Sequence, residues 1–204
     1  MIAVCLDLEG ILIPEIWLNV AKTTGIEALS KTTRDIPDYD QLMQMRLRIL
    51  TENGILFQEI LEIIRGIDPL PGATKFLKWV RQNYQLVILS DTFEEFFRPM
   101  QEKLEMPTIF CHSLKIGTSG IIENYCIRLR DHKRKTVASL QGLNYRVIAS
   151  GDSFNDLSML EMADVGILFR PPDGIKAQFP HLPITWEYQA LRAEISKNAE
   201  RLHR

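Results

Sequence analysis

Carboxylates recur in this chain where apolar runs end. "IAVCL" (2–6) leads into Asp7 and Glu9, and "QLVILS" (85–90) leads into Ser90, Asp91 and Thr92. "RVIAS" (146–150) is followed by "GDSFND", which carries Asp152, Asn155 and Asp156. Lys133 stands in "RDHKRK", ahead of that last run. Several carboxylates with a hydroxyl and an ammonium suit metal-assisted phosphoryl transfer. Carboxylates hold Mg²⁺ through hard oxygen ligands. A lysine and a metal neutralise a phosphate, and a hydroxyl and main-chain N–H groups grip its oxygens. One carboxylate can also act as nucleophile and carry the phosphoryl group as an aspartyl-phosphate.

This reading requires elements that bring the strand ends to one edge. Five short apolar runs predict strands: 2–6, 85–90, 108–110, 146–150 and 165–169. Most are apolar throughout rather than alternating, the pattern of parallel strands covered on both faces. Helices are expected over 73–84, 93–104, 133–143 and 155–163, with Pro99 a break in the second. Alternating strands and helices imply a doubly wound, Rossmann-like α/β core, whose ligands sit outside the carboxyl ends of the strands. Residues 14–70 break the alternation. They read as three helices, "EIWLNVAKTTG", "YDQLMQMRLRILTENG" and "LFQEILEIIRG", with Gly25, Gly54 and Gly66 as stops. The expectation is a core of 1–13 and 71–204 with a small helical cap over 14–70, returning through "DPLPG" (68–72). "GTSG" (117–120) sits between two β-like runs and predicts a hairpin within 112–131. An amphipathic helix from about Tyr188 closes the chain.

Bulk properties narrow the classes. At 204 residues the chain can bury one sizeable core plus a small lobe. A net charge of −2 gives no electrostatic case for nucleic acid. No apolar run approaches the ~18 residues of a membrane span. Cys5, Cys111 and Cys126 are few and widely spaced, and are expected as small core residues in a reducing, cytoplasmic setting. The four histidines, His112, His132, His181 and His203, show no metal spacing and read as structural or exposed. A homodimer is compatible with the sequence.

"DLEG", "ILSDT", Lys133 and "GDSFND" together resemble the four ordered motifs of the haloacid dehalogenase-like phosphatases, across nearly the whole chain. Within that family the resemblance is to phosphoserine phosphatases, and to the branch that also acts as a homoserine phosphotransferase. Glu15 in "IPEIW" and Arg46 in "QMRLRIL" resemble the cap acid and arginine that hold the amino and carboxylate groups of phosphoserine. The resemblance implies that Asp7 attacks phosphorus and binds Mg²⁺. It makes Glu9 the general acid and then the base, with a metal contact through its main-chain carbonyl. Asp152 would be the other direct metal ligand. Ser90, Lys133 and the Asp91 N–H would hold the phosphate, Asn155 would reach the substrate, and Asp156 would orient the metal shell or Lys133. Three departures stand out: Glu9 where Asp is usual, Ile11 where Thr or Val is commoner, and Asp91 where many phosphoserine phosphatases have Gly.

Plainer readings exist for each residue. Ser90 could cap the following helix. Glu15 suits a helix start through the dipole alone. Arg46 has a neighbour in Arg48, though an arginine offers a bidentate fork to a carboxylate. Lys133 is preferred over Arg134 and Lys135 because Val137 and Leu140 then fall on the buried face. At the level of function, the same chemistry could act on another small phosphomonoester. A receiver-type signalling module also uses a parallel sheet, Mg²⁺ and an aspartyl-phosphate. The length, the helical insertion and the acid at Glu9 oppose that last reading.

Overall fold

The computed structural model describes residues 1–36 and 38–203. Its centre is a seven-stranded sheet of order β4-β3-β2-β1-β5-β6-β7, in which only β3 and β4 pair antiparallel. The strands are β1 (Ile2–Leu6), β2 (Gln85–Phe93), β3 (Ile109–Ile116), β4 (Ile122–Cys126), β5 (Arg146–Gly151), β6 (Val165–Phe169) and β7 (Ile184–Thr185). Helices α1 (Ile16–Thr24), α2 (Tyr39–Glu52) and α3 (Phe57–Arg65) follow β1, and α4 (Ala73–Asn83) leads into β2. Beyond it come α5 (Glu94–Phe97), α6 (His132–Gly142), α7 (Leu157–Met162), α8 (Asp173–Gln178) and α9 (Tyr188–Leu202). The doubly wound core expected from the sequence is therefore present.

The continuous apolar strands serve two cores at once. Ile2, Val4 and Leu6 of β1 point into one cluster, while Ala3 and Cys5 point into the other. Phe76, Leu77 and Val80 of α4 and Leu191, Ile195 and Ala199 of α9 cover the first face. Val137 of α6, Met159 and Leu160 of α7, and Ile175 of α8 cover the second. Alternation along the strand thus divides apolar from apolar, and for that reason no polar period is visible in the sequence. Ile16, Trp17 and Val20 of α1, Met43, Leu47 and Leu50 of α2, and Ile60 and Ile64 of α3 join the first cluster. The inserted helices are therefore continuous with the core. The Leu70 N–H donates to the Leu12 carbonyl at 2.9 Å, so the chain leaves and re-enters the core at one place.

Several expected boundaries are corrected. The helix expected over 93–104 reduces to α5 and a 3₁₀ turn at Arg98–Met100. β2 runs on through Ser90, Asp91 and Thr92 to Phe93, which pairs with His112 across a register shift. The strand expected at 108–110 and the first arm of the hairpin are one strand, β3. Residues 154–156 form a 3₁₀ turn ahead of α7 rather than its first turn. The short strand β7 was not expected. Cys5 and Cys111 are buried as anticipated, but Cys126 is exposed, because it ends the edge strand β4. No helix among the described residues is long and apolar enough to cross a membrane.

Gly166, in the middle of β6, allows α7 to lie against the sheet. A Cβ there would sit 2.5 Å from the Leu160 carbonyl oxygen, and backbone cannot step aside as a side-chain tip can. Gly166→Ala is expected to cost ~1–3 kcal/mol through overpacking. A thermal melt should show the midpoint falling by ~3–10 °C; an unchanged midpoint would contradict this packing.

Candidate active site

β1 lies between β2 and β5, so the strand order reverses around it and the loops after these strands diverge. A crevice at that point is where an open α/β sheet receives ligands. Here it is a cavity of about 1020 Å³, lined by Asp7, Glu9, Ser90, Asp91, Lys133 and Asn155 from the core loops. Glu15, Trp17, Tyr39 and Arg46 line it from the inserted helices.

At its base, oxygens of Asp7, Asp152 and Asp156 lie within 4.8 Å of one another. Lys133 Nζ donates to Asp7 Oδ1 at 2.8 Å and to Asp156 Oδ1 at 2.7 Å. The other oxygen of Asp156 accepts the N–H groups of Asp152 and Ser153 at 3.0 and 3.1 Å, tying the loop after β5 to the lysine. Burial pulls the pKa of Lys133 down, but Asp156, Asp7 and Asp91 outweigh it and hold it well above the ordinary lysine value. Burial, then repulsion by Asp156, raises Asp7 to about 8 and Asp152 to about 9. Such a crowd of acids lacks positive charge. Hard oxygen donors converging in this way fit a divalent cation. Gly10 completes the cradle. Its φ of +77° suits glycine, and a Cβ there would fall 2.5 Å from Asp152 Oδ2.

Glu9 Oε2 accepts the Ile16 N–H at 2.7 Å, so the acid caps the first turn of α1. Desolvation and the neighbouring Glu15 raise its pKa well above the carboxylate range, against the pull of that bond. Ser90 is buried, and its Oγ accepts the Thr92 N–H at 3.2 Å within the continuing strand, so it caps no helix. Asp91 turns sideways. His132 Nε2 lies 3.0 Å from its Oδ1, and Asn155 Nδ2 donates to its Oδ2 at 2.7 Å. The Tyr39 hydroxyl of α2 donates to the Asp91 carbonyl at 2.9 Å. Asn155 also takes a hydrogen bond from the Ser153 hydroxyl, so both ends of its amide are engaged.

Arg46 is 6 % exposed, while its neighbour Arg48 faces solvent. Its Nη2 donates to the Lys31 carbonyl at 2.7 Å, and its guanidinium carbon lies 4.5 Å from the Trp17 ring centroid. Its Nε is buried without a partner. Burial lowers its pKa to about 10, which leaves it charged at neutral pH. All the residues named from the sequence line the cavity or its acid floor. His112 and His132 were not singled out. They lie 20 positions apart and reach Asp91 from different elements, so no spacing could have shown them.

The match to a family model decides the family. Residues 3–164 match that of the haloacid dehalogenase-like hydrolases. The chain belongs to the haloacid dehalogenase-like hydrolases. It is 49 % identical over 197 residues to the phosphoserine phosphatase ThrH of Pseudomonas aeruginosa, covering 97 % of this chain and 96 % of that protein. It is 48 % identical to a phosphoserine phosphatase of Pseudomonas syringae pv. tomato, covering 97 % and 83 %. A solved phospho-aspartyl intermediate analogue of phosphoserine phosphatase shares the fold with a TM-score of 0.75 at 18 % identity, covering 90 % and 92 %. The phosphoserine phosphatase of T. onnurineus does so at 0.70 and 20 %, covering 93 % and 92 %. The four motifs of this haloacid dehalogenase-like hydrolase thus fall where the fold converges.

Asp7 and Asp152 bind protons more tightly in the folded chain than in the unfolded one. Their contribution to stability is therefore present below about pH 4 and is lost as pH rises toward about 8 and 9. A divalent cation competes with those protons. The rise in melting midpoint on adding Mg²⁺ should be larger at about pH 8.5 than at about pH 5.5. An equal rise at both would remove this cluster as the cation site.

Proposed function

We propose that this chain is a Mg²⁺-dependent phosphoserine phosphatase working through a phospho-aspartyl intermediate on Asp7. The observation that carries the substrate is Arg46. A buried guanidinium with an unpartnered Nε and, among the described residues, no ion pair is costly unless an anion completes it. It shares a cavity with Asp7, so one ligand can present a phosphate to the acid cluster and a carboxylate to the arginine. Glu15 lines the same cavity and would take the ligand's ammonium. Two relatives of near-full-length similarity bear the name phosphoserine phosphatase, which supports the same reading.

Asp7, Asp152 and the Glu9 carbonyl would hold Mg²⁺, with Asp156 behind them. The cation supplies charge that neutralises the phosphoryl oxygens and keeps Asp7 ionised. The Asp7 carboxylate attacks phosphorus in line with the seryl oxygen. Glu9, whose pKa burial and the neighbouring Glu15 raise well above the carboxylate range, gives its proton to that oxygen as the P–O bond breaks. Serine departs, and Glu9, now a carboxylate, takes a proton from the water that attacks the phospho-enzyme. Ser90, Lys133 and the Asp91 N–H hold the phosphoryl oxygens through both steps. The intermediate does not distinguish a water proton from an alcohol proton. Homoserine entering in place of water would leave as its phosphate ester.

Residues 14–70 would act as the cap that encloses the substrate and excludes bulk water. Lys103 donates to the carbonyls of Arg65 and Ile67 and to Asp68 at 2.7–2.9 Å, anchoring the return of that segment on the core.

Two measurements test the reading. Asp7→Asn should abolish Mg²⁺-dependent turnover of phosphoserine and formation of the acid-stable, hydroxylamine-labile phospho-enzyme; retained turnover would sink the mechanism. Arg46→Ala should lower kcat/KM for phosphoserine ~10–100-fold, mostly through KM, by loss of a charge-assisted bond. The same variant should leave phosphoethanolamine, which has no carboxylate, nearly unchanged. Equal losses on both esters would reject the carboxylate assignment.

A further inference from the structure

Asp91 stands apart from the three acids at the base of the cavity and belongs to a different group, with His112 and His132. Its Oδ1 lies 3.0 Å from His132 Nε2 and 3.6 Å from His112 Nε2. Its Oδ2 takes the Asn155 amide at 2.7 Å and lies 3.5 Å from Lys133 Nζ. Two imidazoles and a carboxylate have the composition of a transition-metal site, but the hydrogen bonding favours a different role. His112 Nδ1 accepts the Arg128 N–H at 3.4 Å, which places the proton of the neutral ring on Nε2, facing Asp91. His132 Nδ1 has no partner, whereas ligand histidines normally pass their second N–H to an acceptor. His132 bonds the carboxylate directly, and His112 turns Nε2 toward the same oxygen at 3.6 Å.

The consequence lies at Lys133. Its ammonium is shared among Asp7, Asp156 and Asp91, and the first two are fixed parts of the acid floor. Asp91 is fixed as well, held at one oxygen by imidazole and at the other by amide, with its carbonyl held by Tyr39. It therefore cannot swing away when an anion arrives. A phosphate oxygen bonded to Lys133 lies within ~6–7 Å of Asp91 Oδ2, two contacts through one nitrogen. That is inside the screening length of physiological salt.

We propose that Asp91 is a built-in competitor for phosphate: a pinned negative charge beside Lys133 that weakens the site's hold on the phosphate dianion and speeds its loss after hydrolysis. The proposal rests on the phosphatase reading above. It differs from ordinary structural support in direction. Loss of a support loosens ligand binding, whereas loss of a competitor tightens it.

The test uses the full chain with Mg²⁺ and inorganic phosphate, titrated calorimetrically so that no turnover is needed. Asp91→Asn keeps the shape and an acceptor oxygen but removes the charge. It is expected to lower the phosphate Kd ~tenfold, the scale of one like-charge contact in a partly screened site. With phosphoserine, KM should fall with it, and kcat should fall as product release slows. Phosphate binding that is unchanged or weaker in a variant with a cooperative thermal melt overturns the proposal. If Asp91→Asn does not fold, Asp91→Gly is read by the same criterion. A wild-type chain that turns over no phosphoserine would sink the phosphatase reading, yet the phosphate titration would still decide the role of Asp91.

Discussion

The ammonium of Lys133 is 3 % exposed and lies within 3 Å of two carboxylates on different loops. It stands in the first turn of α6, where the helix dipole opposes a cation. Burial opposes it too. The acids around it outweigh that penalty, and without it Asp7 and Asp156 would repel one another in a poorly hydrated space. Breaking such a pair by removing one partner typically costs ~3–5 kcal/mol, because the remaining charge is stranded. The lysine thus joins the loops after β1 and β5. Those loops diverge because the sheet order reverses at β1, so the fold opens the crevice and the lysine closes its floor.

The inserted helices are attached to that floor at points of chemistry rather than only by apolar packing. Glu9 meets the first N–H of α1, and Tyr39 of α2 meets the carbonyl of Asp91. The first contact gives a physical use for Glu where Asp is usual in the family it resembles. The extra methylene extends the reach of the carboxylate that caps Ile16 N–H, so the group proposed to move the proton is oriented by the segment proposed to enclose the substrate. Movement of that segment would alter the environment of Glu9 and the backbone that follows Ser90 together.

The core was legible because it is simple. Continuous apolar strands and stripes at helical spacing declare two-faced burial, and the acids fall at the strand ends. Only the family resemblance separates Arg46 from Arg48 in the sequence; its burial beside Met43, Leu47 and Leu50 is seen in the fold. Several of the misread elements depend on partners distant in sequence. β2 continues through polar Ser90, Asp91 and Thr92 because β3 is there to pair with it, which no local propensity reveals. Cys126 looked like a core residue until its strand proved to be the sheet edge. The sideways turn of Asp91 needs His112 and His132, which neither helical nor metal spacing connects.

Charge balance unites these observations. The acid floor has a deficit of positive charge that suits a divalent cation, and the buried Arg46 has a deficit of negative charge that suits a carboxylate. A small ligand with a phosphate at one end and a carboxylate at the other meets both needs only with the cation in place, since without it the phosphate would face the carboxylates directly. Asp91 is the exception, a negative charge already bonded to His132 and Asn155, with His112 and Lys133 at 3.6 and 3.5 Å. It needs nothing from a ligand, and an anionic ligand can gain nothing from it. A site that only maximised affinity for phosphate would leave that position neutral. An enzyme that must discharge phosphate at every cycle gains turnover from a charge that makes the product less welcome, provided the charge is held too firmly to move aside.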